Sequence, residues 1–78
     1  MRKVYVSVTA DFDARGRITP LSFIWDDDRR FEIDKVLDRQ RSASRKVGGV
    51  GWRYTVRVCG KETHLWLEDD GKWFMEGK

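Results

Sequence analysis

Apolar and polar residues alternate along most of this chain. From Arg2 to Phe12 (RKVYVSVTADF), Val4, Val6, Val8 and Ala10 hold one parity and Tyr5, Ser7 and Thr9 the other, a half-buried strand rich in β-branched residues. Asp13-Ala14-Arg15-Gly16 supplies turn chemistry, and alternation resumes through Leu21, Phe23 and Trp25. Pro20 has no amide to donate, so it belongs at the start of that strand or on an edge. Beyond Asp26-Asp27-Asp28-Arg29 the pattern restarts at Phe31 and Ile33, then slips because Val36 and Leu37 are adjacent; a β-bulge or a single helical turn accounts for the slip.

Asp38 to Gly51 (DRQRSASRKVGGVG) is polar, basic and then glycine-rich, and reads as a long mobile connection whose glycines give the chain room to enter the next strand. In that strand Trp52, Tyr54, Val56 and Val58 share a face opposite Arg53, Thr55, Arg57 and Cys59. A compact turn at Gly60-Lys61 leads to an arm with Leu65 and Leu67 facing one way and His64 and Trp66 the other. Asp70-Gly71 predicts a type I′ hairpin, and the last arm puts Trp73 and Met75 on one face. These elements predict an all-β fold: about six antiparallel strands in a meander, curled into a small open barrel or roll of SH3-like size, as one domain over residues 1–78.

Composition adds boundaries. The single cysteine, Cys59, rules out an intrachain disulfide and cysteine-rich zinc spacing, which points to a reducing compartment. The N-terminal alternation reads as a strand instead of a signal peptide, and no apolar run nears the roughly 20 residues that span a bilayer. A cytoplasmic chain with no membrane partner is expected. The net charge of +3 is modest, but its distribution is uneven. Between Arg29 and Lys46 seven Lys/Arg face three acids, so the excess of positive charge lies there.

The densest acidic run, Asp26-Asp27-Asp28, offers hard oxygen ligands, but in extended chain only Asp26 and Asp28 share a face. Aspartates also initiate turns through side-chain bonds to the backbone, and Arg29 and Arg30 compensate their charge, so a turn is expected and no metal or other cofactor. His64 is the one histidine, on an outward parity with no evident nucleophile, and Cys59 sits at a strand end between Arg57 and Lys61. Val47-Gly48-Gly49-Val50-Gly51 lacks the Lys-Ser/Thr of a phosphate-cradling loop. An enzyme would need Asp26, Asp34 or Glu62 to meet His64 or Cys59 in one cleft, which makes catalysis the third choice.

Two binding surfaces remain. Arg39, Arg41, Arg45 and Lys46, extended by Arg53 and Arg57, are candidates for neutralising phosphates of a nucleic acid or another polyanion, with outward aromatics as stacking surfaces. Trp66 and Phe74, of outward parity on consecutive hairpin arms, and the outward Tyr5 are the candidates for docking a protein partner or a second copy of the chain. The reading is a non-enzymatic interaction module, first through the basic residues and alternatively through the aromatics.

Phe23, Trp25, Arg30, Phe31, Ile33, Val36 and Leu37 form a Pro-x-x-aromatic-x-Trp, Arg-aromatic-x-hydrophobic, Val-Leu pattern from Pro20. With Trp52, Leu65, Leu67, Gly71 and Trp73 further on, it resembles a small bacterial domain family of unassigned function. Two features depart from it: Asp28 and Arg29 stand where the family's turn has glycine before its arginine, and no aromatic follows Val36-Leu37. The resemblance implies an all-β module without assigned catalysis and carries over no functional residues.

Overall fold

The computed structural model describes residues 2–43 and 50–77. They form β1 (Arg2–Phe12), β2 (Ile18–Ile24), β3 (Arg30–Glu32), β4 (Lys35–Ala43), β5 (Val50–Val58), β6 (Lys61–Glu68) and β7 (Trp73–Gly77). The strands make a single antiparallel sheet in the order β3-β2-β1-β7-β6-β5-β4. Neighbours in the sheet are neighbours in the chain except where β1 meets β7, so the topology is a meander joined through its first and last strands. The two edge strands, β3 and β4, are consecutive in the chain. Their link is clamped on both sides, with the Ile33 amide donating to the Leu21 carbonyl (2.9 Å) and the Asp34 amide to the Arg57 carbonyl (2.8 Å). The sheet therefore curls until its edges meet at this link, which leaves fewer free strand edges than a flat sheet would. Above the link β2 and β4 do not pair, and the barrel is open there.

The interior is built from the positions that the alternation singles out. Phe23, Tyr54, Val56, Val58, Leu65, Leu67, Trp73 and Met75 form one buried cluster, with Trp25, Phe31, Ile33, Val36 and Trp52 packed against it. The slip after Ile33 is a bulge, seen as a register shift between Val36 and Asp38 against β5. A second shift, at Thr9/Ala10 against β2, leaves Leu21 unpaired and 46% exposed, so it drops out of the inward set while Pro20 beside it is buried. Pro20 thus sits at a bulge, where its missing amide breaks no regular ladder.

Two other expectations change. Asp38–Ala43 is not loop but the greater part of β4, paired with β5 from Lys35↔Arg57 to Ala43↔Val50. The strand eluded the pattern because its inward positions are arginines, whose aliphatic stems can cover an apolar surface while the charged head stays wet. The all-β antiparallel sheet curled into an open barrel is as expected, with seven strands among the described residues where about six were expected. The type I′ turn also lies elsewhere, at Cys59-Gly60 (φ 51° and 77°), between the paired residues Val58 and Lys61.

Three other hairpins, whose turns lie among the described residues, repeat one device. In Asp13–Arg17, Trp25–Arg29 and Glu68–Lys72 the first carbonyl accepts from the fourth amide, at 3.0, 3.0 and 2.9 Å. The fourth residue has positive φ: Gly16 (81°), Asp28 (67°) and Gly71 (90°). This is a type I turn closed by one left-handed residue, a position at which glycine is strain-free. Asp28 occupies it, and its carboxylate accepts no hydrogen bond from a described residue. Replacing Asp28→Gly is expected to stabilise the domain by about 0.5–1 kcal/mol, because relief of the left-handed strain outweighs the added unfolded-state entropy. In urea unfolding the midpoint should rise by a few tenths molar, and a lower midpoint would count against the strain.

Candidate functional site

The β4–β5 ribbon carries most of the candidate basic residues, and its register decides which way each one faces. Arg39 lies opposite Tyr54 and Arg41 opposite Trp52, so both share the concave face with the core residues of β5. Arg53 and Arg57 alternate with Tyr54, Val56 and Val58 and therefore stand on the convex face. The expected single basic patch is thus divided by the sheet, because the bulge after Val36 resets the parity of everything that follows it in β4. Arg45 and Lys46 lie outside the described residues.

On the concave side Arg39 is held on an aromatic rail. Its guanidinium carbon lies 3.8 Å from the Trp52 ring centroid, and its Nε donates to the Tyr54 hydroxyl at 3.2 Å. That hydroxyl in turn donates to the Ile18 carbonyl at 2.8 Å, tying β5 to β2 across the interior. Among the described residues no carboxylate pairs with Arg39, so its two terminal nitrogens keep donors for a ligand. A cation fixed by stacking and one hydrogen bond loses little further freedom when it receives an anion. Arg17, from the β1–β2 turn, faces the same hollow, about 310 Å³ in volume and also lined by Val36, Leu37 and Asp38.

Arg41 is engaged differently. It forks onto Asp69, with its two terminal nitrogens 2.6 and 2.8 Å from the carboxylate oxygens, and that bond raises its already high pKa. Beside this fork opens the upper mouth of the barrel, a hollow of about 250 Å³ between Phe12, Ile18, Trp52, Leu67 and Trp73, with Glu68, Asp69 and Gly71 also at its wall. Phe12 is 68% exposed at the end of β1 and presents a free ring there. Phe12 continues the parity of Val4, Val6, Val8 and Ala10, but only the curl of β1 brings it to Trp52.

The convex aromatics depart from expectation. Trp66 and Phe74 do point outward but are buried, 6% and 1% exposed, and only Tyr5 is open at 52%. Their rings stack face to face (centroids 5.7 Å apart, planes 4° apart), Tyr5 meets Phe74 edge-on at 6.1 Å, and the Lys3 ammonium lies 4.7 Å over the Phe74 ring. Glu68 holds this cover in place, accepting from the Tyr5 hydroxyl at 2.7 Å and from Lys3 at 3.3 Å. For Lys3, partial desolvation opposes the charge, but Glu68 outweighs it and raises the pKa; for Tyr5 the hydrogen bond to Glu68 raises it. Long flanking side chains thus cover apolar rings that a parity count assigns to solvent. Arg53, directly opposite Trp66, donates to Gln40 at 3.2 Å and is half-buried.

The aspartate run is a turn. Asp26 pairs with Arg2 (3.2 Å), Asp27 pairs with the Arg29 Nε (2.6 Å) and accepts its amide (3.1 Å), and Asp28 takes the left-handed position. For Asp27, desolvation opposes ionisation but is outweighed by the Arg29 amide and guanidinium, which lower its pKa. Groups of three or more His, Cys, Asp or Glu placed to hold a metal do not occur among the described residues. His64 is exposed, with its Nδ1 3.3 Å from the Thr55 hydroxyl. It shares a convex hollow with Glu62, Thr63 and Glu76 but forms no ion pair among the described residues. Cys59 is exposed in the type I′ turn.

Comparison with protein-family models, curated proteins and solved structures finds no match to this chain. No helix among the described residues is long and apolar enough to cross a membrane. The functional reading therefore rests on the residues themselves.

Proposed function

We propose that the protein is a non-enzymatic, cytoplasmic interaction module that binds single-stranded nucleic acid, or a polyanion of similar charge spacing, weakly and without base readout. The observation that carries this reading is Arg39, a guanidinium stacked on Trp52 and hydrogen-bonded to Tyr54 with its outer donors unused among the described residues. Arg17 and Arg39 supply two phosphate contacts around one hollow, and Phe12 offers a ring on which an unpaired base can stack. Asp69 tempers the site by occupying Arg41.

A fluorescein-labelled oligothymidylate titrated at several sodium chloride concentrations tests the proposal. With two phosphates neutralised, log K is expected to fall with log salt at a slope of about −1.4, and affinity at physiological salt to be no tighter than micromolar. Asp69→Asn frees the Arg41 fork for a third phosphate and should steepen the slope to about −2 while tightening binding several-fold at low salt. Absence of any anisotropy change at 10 mM salt would remove the proposal.

A further inference from the structure

The lower end of the barrel carries a second hollow, unconnected with the basic ribbon. Its floor is the bottom of the core, Phe23, Val58 and Met75, all buried, and its walls are the half-buried Trp25 and Phe31. Phe23 and Phe31 stack at 5.4 Å with their planes 23° apart, which fixes a flat aromatic wall. The rim is polar: Thr63, the exposed Cys59 of the type I′ turn, and Arg29 of the aspartate turn. The volume, about 260 Å³, corresponds to roughly nine water molecules of liquid, enough for a fused ring pair and too small for a nucleotide.

Arg29 gives the hollow its chemistry. Its guanidinium lies 5.4 Å over the Phe31 ring, and Asp27 anchors it through the Nε at 2.6 Å. The terminal nitrogens make no bond to a described residue, so this cation on the rim is positioned and has donors free. Asp27 thus acts as the support that orients Arg29, and the acidic turn, which reads as mere punctuation in the sequence, becomes one lip of the hollow. An apolar floor, aromatic walls and a single oriented guanidinium match a small molecule with a flat apolar body and one anionic group.

We infer that the lower mouth binds a small aromatic carboxylate, with its ring between Trp25 and Phe31 over Phe23 and Met75 and its carboxylate on the terminal nitrogens of Arg29. This is independent of the polyanion reading, because the Arg39 hollow and this one share no residue.

The test uses the full chain and three probes, indole-3-acetate, neutral 3-methylindole and acetate, followed by amide chemical shifts. Indole-3-acetate is expected to saturate with a dissociation constant of about 1 mM, as a fragment of this size allows, and to shift resonances of Trp25, Phe31, Cys59 and Thr63. The methylindole should bind at the same residues about five- to ten-fold more weakly, and acetate should cause no localised shift. Arg29 is exposed, so Arg29→Gln should fold normally and should erase the preference for the carboxylate while leaving methylindole binding unchanged. A second readout is the rate at which Cys59 reacts with methyl methanethiosulfonate, which bound indole-3-acetate should lower at least three-fold. Equal affinity for the charged and neutral indoles, shifts centred on Trp52 and Phe12, or an unprotected Cys59 at saturation would each overturn the inference.

Discussion

Gly51→Ala is expected to cost about 3 kcal/mol or more and to lower the melting temperature by over 10 °C. A Cβ on Gly51 would run into the Leu67 carbonyl oxygen and stand 2.9 Å from the Glu68 Cα, both backbone atoms of the neighbouring strand. No rotamer change can relieve such a clash; β5 or β6 would have to move, and the Gly51↔Glu68 and Trp52↔Leu67 pairs would be lost with the ladder. A domain of this length has roughly 4–12 kcal/mol in total, so the loss takes a large part of it. Gly16→Ala is the control, since its Cβ meets nothing within 4 Å and only its positive φ of 81° penalises the change. That variant should lose about 1 kcal/mol. Thermal melts in which the two variants drop equally would show that the approach of β6 to Gly51 is not what the glycine serves.

The same glycine illustrates what a sequence alone reveals. Its place before Trp52 already suggests that the chain needs room there, but the partner that needs it, the Leu67 carbonyl, is supplied only by strand pairing over a distance. Local period-two patterns correctly assign the inward residues of β5, β6 and β7, because the core positions of these strands are apolar at every second residue. They fail at β4, whose inward residues Arg39 and Arg41 are charged yet lie along Trp52. They fail again on the convex face, where Trp66 and Phe74 are outward in parity and buried in fact, since Lys3 and Tyr5 arrive from the far end of the chain to cover them. The candidate site suffered most from this. All six basic residues were visible as a charge cluster, and the β5 alternation places Arg53 and Arg57 outward, but the facing of Arg39 and Arg41 is decided by one bulged residue between Val36 and Asp38. A side chain's face is a two-fold choice, and one inserted residue inverts it.

That inversion separates Arg39 from Arg57 and gives the largest expected effect on binding. Both are arginines on adjacent strands, with the same charge and the same salt screening. Arg39 projects beside Trp52 into the hollow it shares with Arg17, whereas Arg57 stands exposed on the opposite face, between Lys35 and Glu62 in the neighbouring strands. If charge alone governed binding, removing either would weaken it equally, since a mobile polyanion samples every exposed cation. If the stacked, hydrogen-bonded guanidinium is the contact, removing Arg39 forfeits both a phosphate partner and the ordering of Trp52. Arg39→Gln should then lower oligothymidylate affinity at low salt about ten-fold and reduce the magnitude of the salt slope by about 0.7, the share of one phosphate. Arg57→Gln should change affinity by less than two-fold.

Titration of these two variants side by side against the same labelled oligothymidylate is the most direct measurement of whether the concave rail is the binding surface. The expected result is a ten-fold loss for Arg39→Gln with a shallower salt slope and near-wild-type binding for Arg57→Gln; equal losses in both variants would contradict it.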